Sequence, residues 1–193
     1  MNRTVDITYY LKPLSETTTQ AYLTNTLQVA DVLEWIIEQV GSSEVWMTTF
    51  SISEEFLRRL YFLRKKSGKI CRITVLLDRK ATQKTINLWQ VIKEVVQDAY
   101  IADNHSKILL VKAESGKTVS VVTSQNLTRG NRAESAFLST EPEVFNTLYM
   151  QLQELITYHS IPFYELYARA AGEYSEDGFC LHDDHRDSLD IAS

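Results

Sequence analysis

The chain has 193 residues, 44% of them hydrophobic and 23% charged, with a formal net charge of −5. That is enough for one domain with a real core and too short for two comfortable ones. No apolar run approaches the roughly 20 residues that cross a bilayer, and the opening MNRTVDITYYLKP lacks the apolar centre of a secretory signal. With only Cys71 and Cys180, a disulfide framework is not expected and a reducing, cytoplasmic setting is.

In chain order, VDITYYL reads as a short strand closed by a turn at Pro13. From Thr26 to Val40 the apolar positions follow the helical period and Gly41 stops them. EVWMTTFSI is a strand, and SISEEFLRRLYFLRKKSG a helix with a capping box from Ser51 to Glu54. KICRITVLL alternates and is β-branched, as a strand should be. ATQKTINLWQVIKEVVQ reads as a third helix. AYIAD, SKILLVK and KTVSVVTS are three further strands, the last two joined by the turn AESGK. A final helix covers EPEVFNTLYMQLQELITYHS, with Pro142 in its first turn. Helices that alternate with strands, followed by strands in succession, predict an α/β fold with a mixed sheet flanked by helices on both faces. Trp35, Trp46 and Trp89 lie in apolar runs and are expected in the core.

Charge is distributed unevenly. Between Arg58 and Lys80 nine bases face one acid, Asp78, which suits either a solvated helix face or contact with a polyanion. Seven acids and one base, Arg186, fall between Glu173 and Ser193. The expected organisation is therefore a domain over residues 1–172 and an acidic tail over 173–193. Within the tail, His182-Asp-Asp-His185 could ligate a metal, but a loose acidic segment offers no rigid geometry. The tail could also cover a basic groove as a phosphate mimic.

Two polar pairs stand out. His105 and Lys107 precede the apolar run ILLV; Ser124 and Asn126 follow VSVV. On a strand, residues i and i+2 share a face, and the short turn suggests neighbouring strands, so all four groups would converge. An imidazole, an ammonium, a hydroxyl and an amide make a poor core and a good phosphate site. Lysine neutralises charge, serine and asparagine donate, and histidine attacks or carries a proton. Alone, His105 and Lys107 would read as a solvated strand end. No paired carboxylates or Cys/His spacing nearby suggests a metal.

These residues resemble the HKD motif of the phospholipase D superfamily. His105-Ser-Lys107 matches its first part, and Thr123-Ser124-Gln125-Asn126 its second, with Thr in place of Gly. NLT, then NRAE ending in Glu134, continue the likeness, and VWMTTFSISEEFLRRLYFLRKKSGKICRITVLLD is similar to the opening of such domains. The likeness covers residues 44–140, about half the chain. The family's aspartate is replaced by Lys112, which calls the local ion pairing into question.

The resemblance implies a phosphodiesterase that works through a phosphohistidine. His105 would attack phosphorus, and a second His105 would protonate the leaving oxygen. Lys107 and Asn126 would hold the non-bridging oxygens with support from Ser124, and Glu134 would orient the His105 ring. No metal or other cofactor is implied. The chain has one motif where the mechanism needs two, so a phospholipase D-like half-domain that pairs with a second copy as a homodimer is expected. Nucleic acid is the expected substrate, with Arg129 and Arg132 at its backbone or merely on the surface, and no stable membrane association is expected. The alternatives are a catalytically weak module that binds phosphate or nucleic acid, and a lipid phosphodiesterase.

Overall fold

The structure, a computed structural model, describes residues 6–81 and 85–170. Eight strands form one sheet: β1 Thr19–Thr24, β2 Ser43–Thr49, β3 Ile70–Asp78, β4 Asp98–Ala102, β5 Ile108–Ala113, β6 Thr118–Thr123, β7 Glu134–Ser139 and β8 Ile161–Pro162. Their order across the sheet is β1-β7-β6-β5-β2-β3-β4-β8. The β2–β3 and β3–β4 pairs are parallel and all the others antiparallel, so the sheet is mixed, as its sequence order requires.

The helices are α1 Val29–Val40, α2 Glu54–Ser67, α3 Trp89–Val95, α4 Pro142–His159 and α5 Phe163–Ala170. Leu33, Ile36 and Ile37 of α1, Leu57 and Leu60 of α2, and Phe163 of α5 share one core with Val45, Met47, Ile73, Val75, Leu109 and Val111 of the sheet. On the opposite face Phe145 and Leu152 of α4 close over Trp46, Leu76 and Leu110. Successive residues of β2, β3 and β5 thus enter opposite cores. This is why those strands read as unbroken apolar runs.

Helix α4 does not cover its whole face. Beyond it, Leu23 of β1, Val122 of β6 and Phe137 of β7 stay 74%, 43% and 47% exposed, and Val122 lies opposite Phe137 in register.

Three sequence expectations need correction. The described residues of VDITYYL, from Asp6 on, form no strand: Asp6 accepts bonds from the Thr8 amide (3.0 Å) and hydroxyl (2.6 Å), which winds Ile7–Tyr9 into a 3-10 turn. The cap of α2 is Ser53, which accepts from the Phe56 amide at 3.2 Å. Ser51 cannot start the helix because Ile52 is held extended in a bridge to Leu127. The expected third helix ATQKTINLWQVIKEVVQ is interrupted: Thr85 and Ile86 are helical, Asn87 and Leu88 turn, and the helix resumes over Trp89–Val95. The acidic segment 173–193, with His182 and His185, lies outside the described residues.

Candidate active site

Strands β2, β3 and β4 all end at the same edge of the sheet, at Thr49, Asp78 and Ala102. Antiparallel pairing brings the start of β5, the end of β6 and the start of β7 to that edge as well. It is the carboxyl end of the parallel strands, where open α/β sheets bind ligands.

All the singled-out residues arrive there, by a route that differs from strand alternation. β5 begins at Ile108 and β6 ends at Thr123, so His105 and Lys107 precede one strand and Ser124 and Asn126 follow the other. The ladder continues one step past the strands, with the Thr123 amide donating to the Lys107 carbonyl at 3.0 Å. It is the β5–β6 hairpin that sets the two halves of the motif side by side. The AESGK turn closes its far end, with Gly116 at φ 85°, a left-handed conformation that favours glycine.

His105 is exposed, its ring packed against that of Phe50 with centroids 5.3 Å apart. The Lys107 ammonium donates to the His105 carbonyl at 2.9 Å, which folds its charge back over the histidine. The Ser124 hydroxyl donates to the Glu134 carboxylate and accepts from the Ser135 amide, the latter at 3.0 Å. Ser124, rather than the His105 ring, is thus the recorded partner of Glu134. The Asn126 side-chain oxygen lies 3.3 Å from the Thr49 hydroxyl, whose one proton is shared with the nearer Ser51 carbonyl at 2.8 Å. Tyr22 lies close by: its phenol is pushed up to about 12 by burial, with the charges of Asp31 and Glu134 adding to the effect, so it stays neutral beside the glutamate.

The flanking arginines part company. Arg129 bonds Glu55 in the first turn of α2 at 3.0 Å, whereas Arg132 is exposed and pairs with no acid among the described residues. The Arg58–Lys80 cluster is largely engaged within the fold: Arg58 pairs with Glu54, Arg59 with Asp31, Lys66 with Glu34, Arg72 with Asp98 and Arg79 with Asp103. Five of the nine bases in this run thus have an acid partner among the described residues.

Sequence reasoning missed the layer beneath the motif. Asp78, Asn104 and Thr49 are all buried and hydrogen-bonded under the loop. Asp78 had a signal, being the one acid in a basic stretch and the last residue of an apolar strand. Gln125 was passed over as the unspecified position of Ser-x-Asn. It is buried, accepts from the Val29 amide at 2.9 Å and donates to Gln28 at 3.0 Å, which ties the loop to the start of α1.

No family model and no curated protein matches the sequence. Solved structures do match the fold. A phospholipase D family member, Nuc, from Salmonella typhimurium is 13% identical with a TM-score of 0.55, over 75% of this chain and 96% of that one. NucT from Helicobacter pylori is 13% identical with a TM-score of 0.50, over 75% and 99%. The phosphatidylserine synthase of Haemophilus influenzae is 14% identical with a TM-score of 0.52, over 76% of this chain but 41% of its own. The fold is that of the phospholipase D superfamily.

Within this phospholipase D-like fold the two departures from the motif find physical explanations. Thr123, in the glycine position, donates to the Ser135 carbonyl at 2.8 Å and accepts from the Gln125 amide at 3.1 Å, so its side chain stabilises the turn that glycine would merely permit. Lys112 is exposed and faces Glu44 across the β2–β5 ladder. Five residues beyond Lys107, it lies about 17 Å away at the usual rise of a strand, beyond the reach of unscreened electrostatics in physiological salt. Among the described residues, no helix is long and apolar enough to cross a membrane.

Proposed function

We propose that the protein is a metal-independent phosphodiesterase that cleaves nucleic acid through a phosphohistidine, in an active site built by two copies of the chain. One observation carries this reading: a phospholipase D-like fold brings His105, Lys107, Ser124 and Asn126 to the carboxyl edge of its sheet on one hairpin. A neutral His105 nitrogen attacks phosphorus in line as the P–O bond to the leaving group breaks, and the partner copy's imidazolium protonates the leaving oxygen. That histidine, now neutral, takes a proton from water; the hydroxide attacks phosphorus, the P–N bond breaks, and His105 is released. Lys107 and the Asn126 amide hold the non-bridging oxygens, where charge builds up. Ser124 and Glu134, bonded to each other, brace the same side of the site.

Two further observations support the pairing and the substrate. The chain matches Nuc and NucT over nearly their whole lengths, and so corresponds to one unit. Lys107, bonded to the His105 carbonyl, and Arg132, exposed on the loop before β7, have no acid partner among the described residues, which suits contact with a phosphate backbone.

The test is cleavage of single- and double-stranded DNA and RNA in excess EDTA. Turnover is expected. Salt-dependent binding without turnover would instead indicate a binding module, and turnover of phosphatidylcholine vesicles with nucleic acids untouched a lipid enzyme. Lys112→Asp restores the family's residue and is expected to leave kcat within about twofold, because the position is screened from the reacting atoms. A tenfold change would place the Lys112 charge in the mechanism.

A further inference from the structure

The loop that carries His105 and Lys107 alternates. Asn104 is buried and Ser106 turns inward, while His105 is exposed and Lys107 lies at the surface between them and β5. Everything pointing inward is hydrogen-bonded. The Asp78 carboxylate, 5% exposed, accepts from the Lys80 amide at 2.7 Å and from the Asn104 amide at 2.9 Å. The Asn104 side chain, also 5% exposed, donates to the Thr49 carbonyl at 3.2 Å. Its oxygen accepts from the Ser106 amide at 3.1 Å and hydroxyl at 2.5 Å. Because the Ser106 proton is used there, it is Thr48 that donates to Ser106, at 2.8 Å, while accepting from the Ile108 amide at 3.0 Å.

The same chain of bonds reaches the second half of the motif. The Thr49 hydroxyl, fully buried, donates to the Ser51 carbonyl at 2.8 Å and accepts from the Leu127 amide, next to Asn126, at 3.1 Å, with the Asn126 side-chain oxygen 3.3 Å away. Asp78, Asn104 and Thr49 come from the ends of three different elements. They hold the His105–Lys107 loop from below and, through the Leu127 amide, the backbone that follows Asn126 from the side. A buried carboxylate without partners is costly. Here it is matched with backbone donors, one of them on the residue next to the histidine.

We propose that Asp78, Asn104 and Thr49 form a buried polar spine that positions His105 and Lys107 relative to Asn126. These are positioning residues, since none touches the reacting atoms, and the proposal rests on the phosphodiesterase reading of the site. Displacements of about an ångström at a reacting group cost on the order of a hundredfold in rate, so the spine acts on kcat rather than on substrate affinity.

The test compares wild type with Asp78→Asn, whose amide can accept only one of the two backbone bonds, and with Asn104→Ala. Leu33→Ala, in the core of α1 away from this edge, serves as a control for destabilisation alone. With the spine broken, kcat on a single-stranded DNA substrate is expected to fall about thirty- to a hundredfold, with KM within about twofold. Leu33→Ala should keep its kcat. In Asp78→Asn the Asn104 amide should exchange with solvent at least about tenfold faster while Leu110 and Val111 of β5 do not change, and the NOE between the Phe50 and His105 rings should weaken. Unchanged kcat in both spine variants, or an equal loss in Leu33→Ala, overturns the proposal. If wild type turns over no substrate, the phosphodiesterase reading fails by itself. Exchange and the ring NOE then decide for the spine, and wild-type values of both in Asp78→Asn overturn it.

Discussion

His105→Ala is expected to lower kcat by about a thousandfold or more, because it removes both the proposed nucleophile and the group proposed to protonate the leaving oxygen. The fold should not be affected: the imidazole is exposed and its one ring contact is with Phe50. Acid quenching of wild type during turnover of labelled substrate should trap phosphate on protein, and His105→Ala should trap none. Titrating His105→Ala into wild type under conditions of subunit exchange adds a second readout. If both copies must supply a histidine, equal amounts leave about a quarter of the dimers competent, so activity falls as the square of the wild-type fraction. A linear fall would mean that each chain works alone.

Phe137→Lys is expected to separate the proposed dimer and silence the proposed activity without unfolding the chain. Phe137 is 47% exposed, opposite Val122, which is 43% exposed, on the part of the sheet that α4 leaves bare. Helix α4 also presents Met150 and Tyr158, 70% and 75% exposed. A two-fold arrangement can therefore lay the helix of each copy toward the open strands of the other. Burying an unpaired charge costs about 3–5 kcal/mol, and twofold symmetry imposes the cost twice. The dimer dissociation constant should thus rise by roughly four decades or more. Sedimentation should show a monomer at micromolar concentration, circular dichroism an unchanged fold, and kcat per chain a fall of about a hundredfold. A Phe137→Lys protein that remained dimeric and active would remove this face from the interface.

The centre of the fold was legible because its information is local. EVWMTTFSI and KICRITVLL are buried on both sides and read as strands without help, and the motif was visible because one hairpin holds both halves. The margins were not. TQAYLT and ESAFLS are short and half polar; TQAYLT is a strand through its pairing with ESAFLS, Thr19 with Ser139 and Thr24 with Glu134, and ESAFLS through that pairing and its ladder with β6. No sequence window contains both. The spine was hidden for the same reason: Asp78 reads as a strand-ending acid until Asn104 is seen to donate to it across the sheet. The convergence of His105, Lys107, Ser124 and Asn126 was anticipated, but alternation along strands was the wrong reason for it. They occupy the loops just past the strand ends, where backbone direction rather than pleat decides what faces the site.

The pairing of β1 with β7 has a consequence for how the molecule comes into being. The partner of β1 follows it by more than a hundred residues. Until Ser139 has emerged, β1 has nothing to bond to, and closure of so long a loop is entropically slow. Strand β7 carries Glu134 at its site end, so that flank of the candidate site is completed only when the two distant segments meet. A nascent chain can build the parallel heart of the sheet, and even the hairpin with His105, well before it has a finished site.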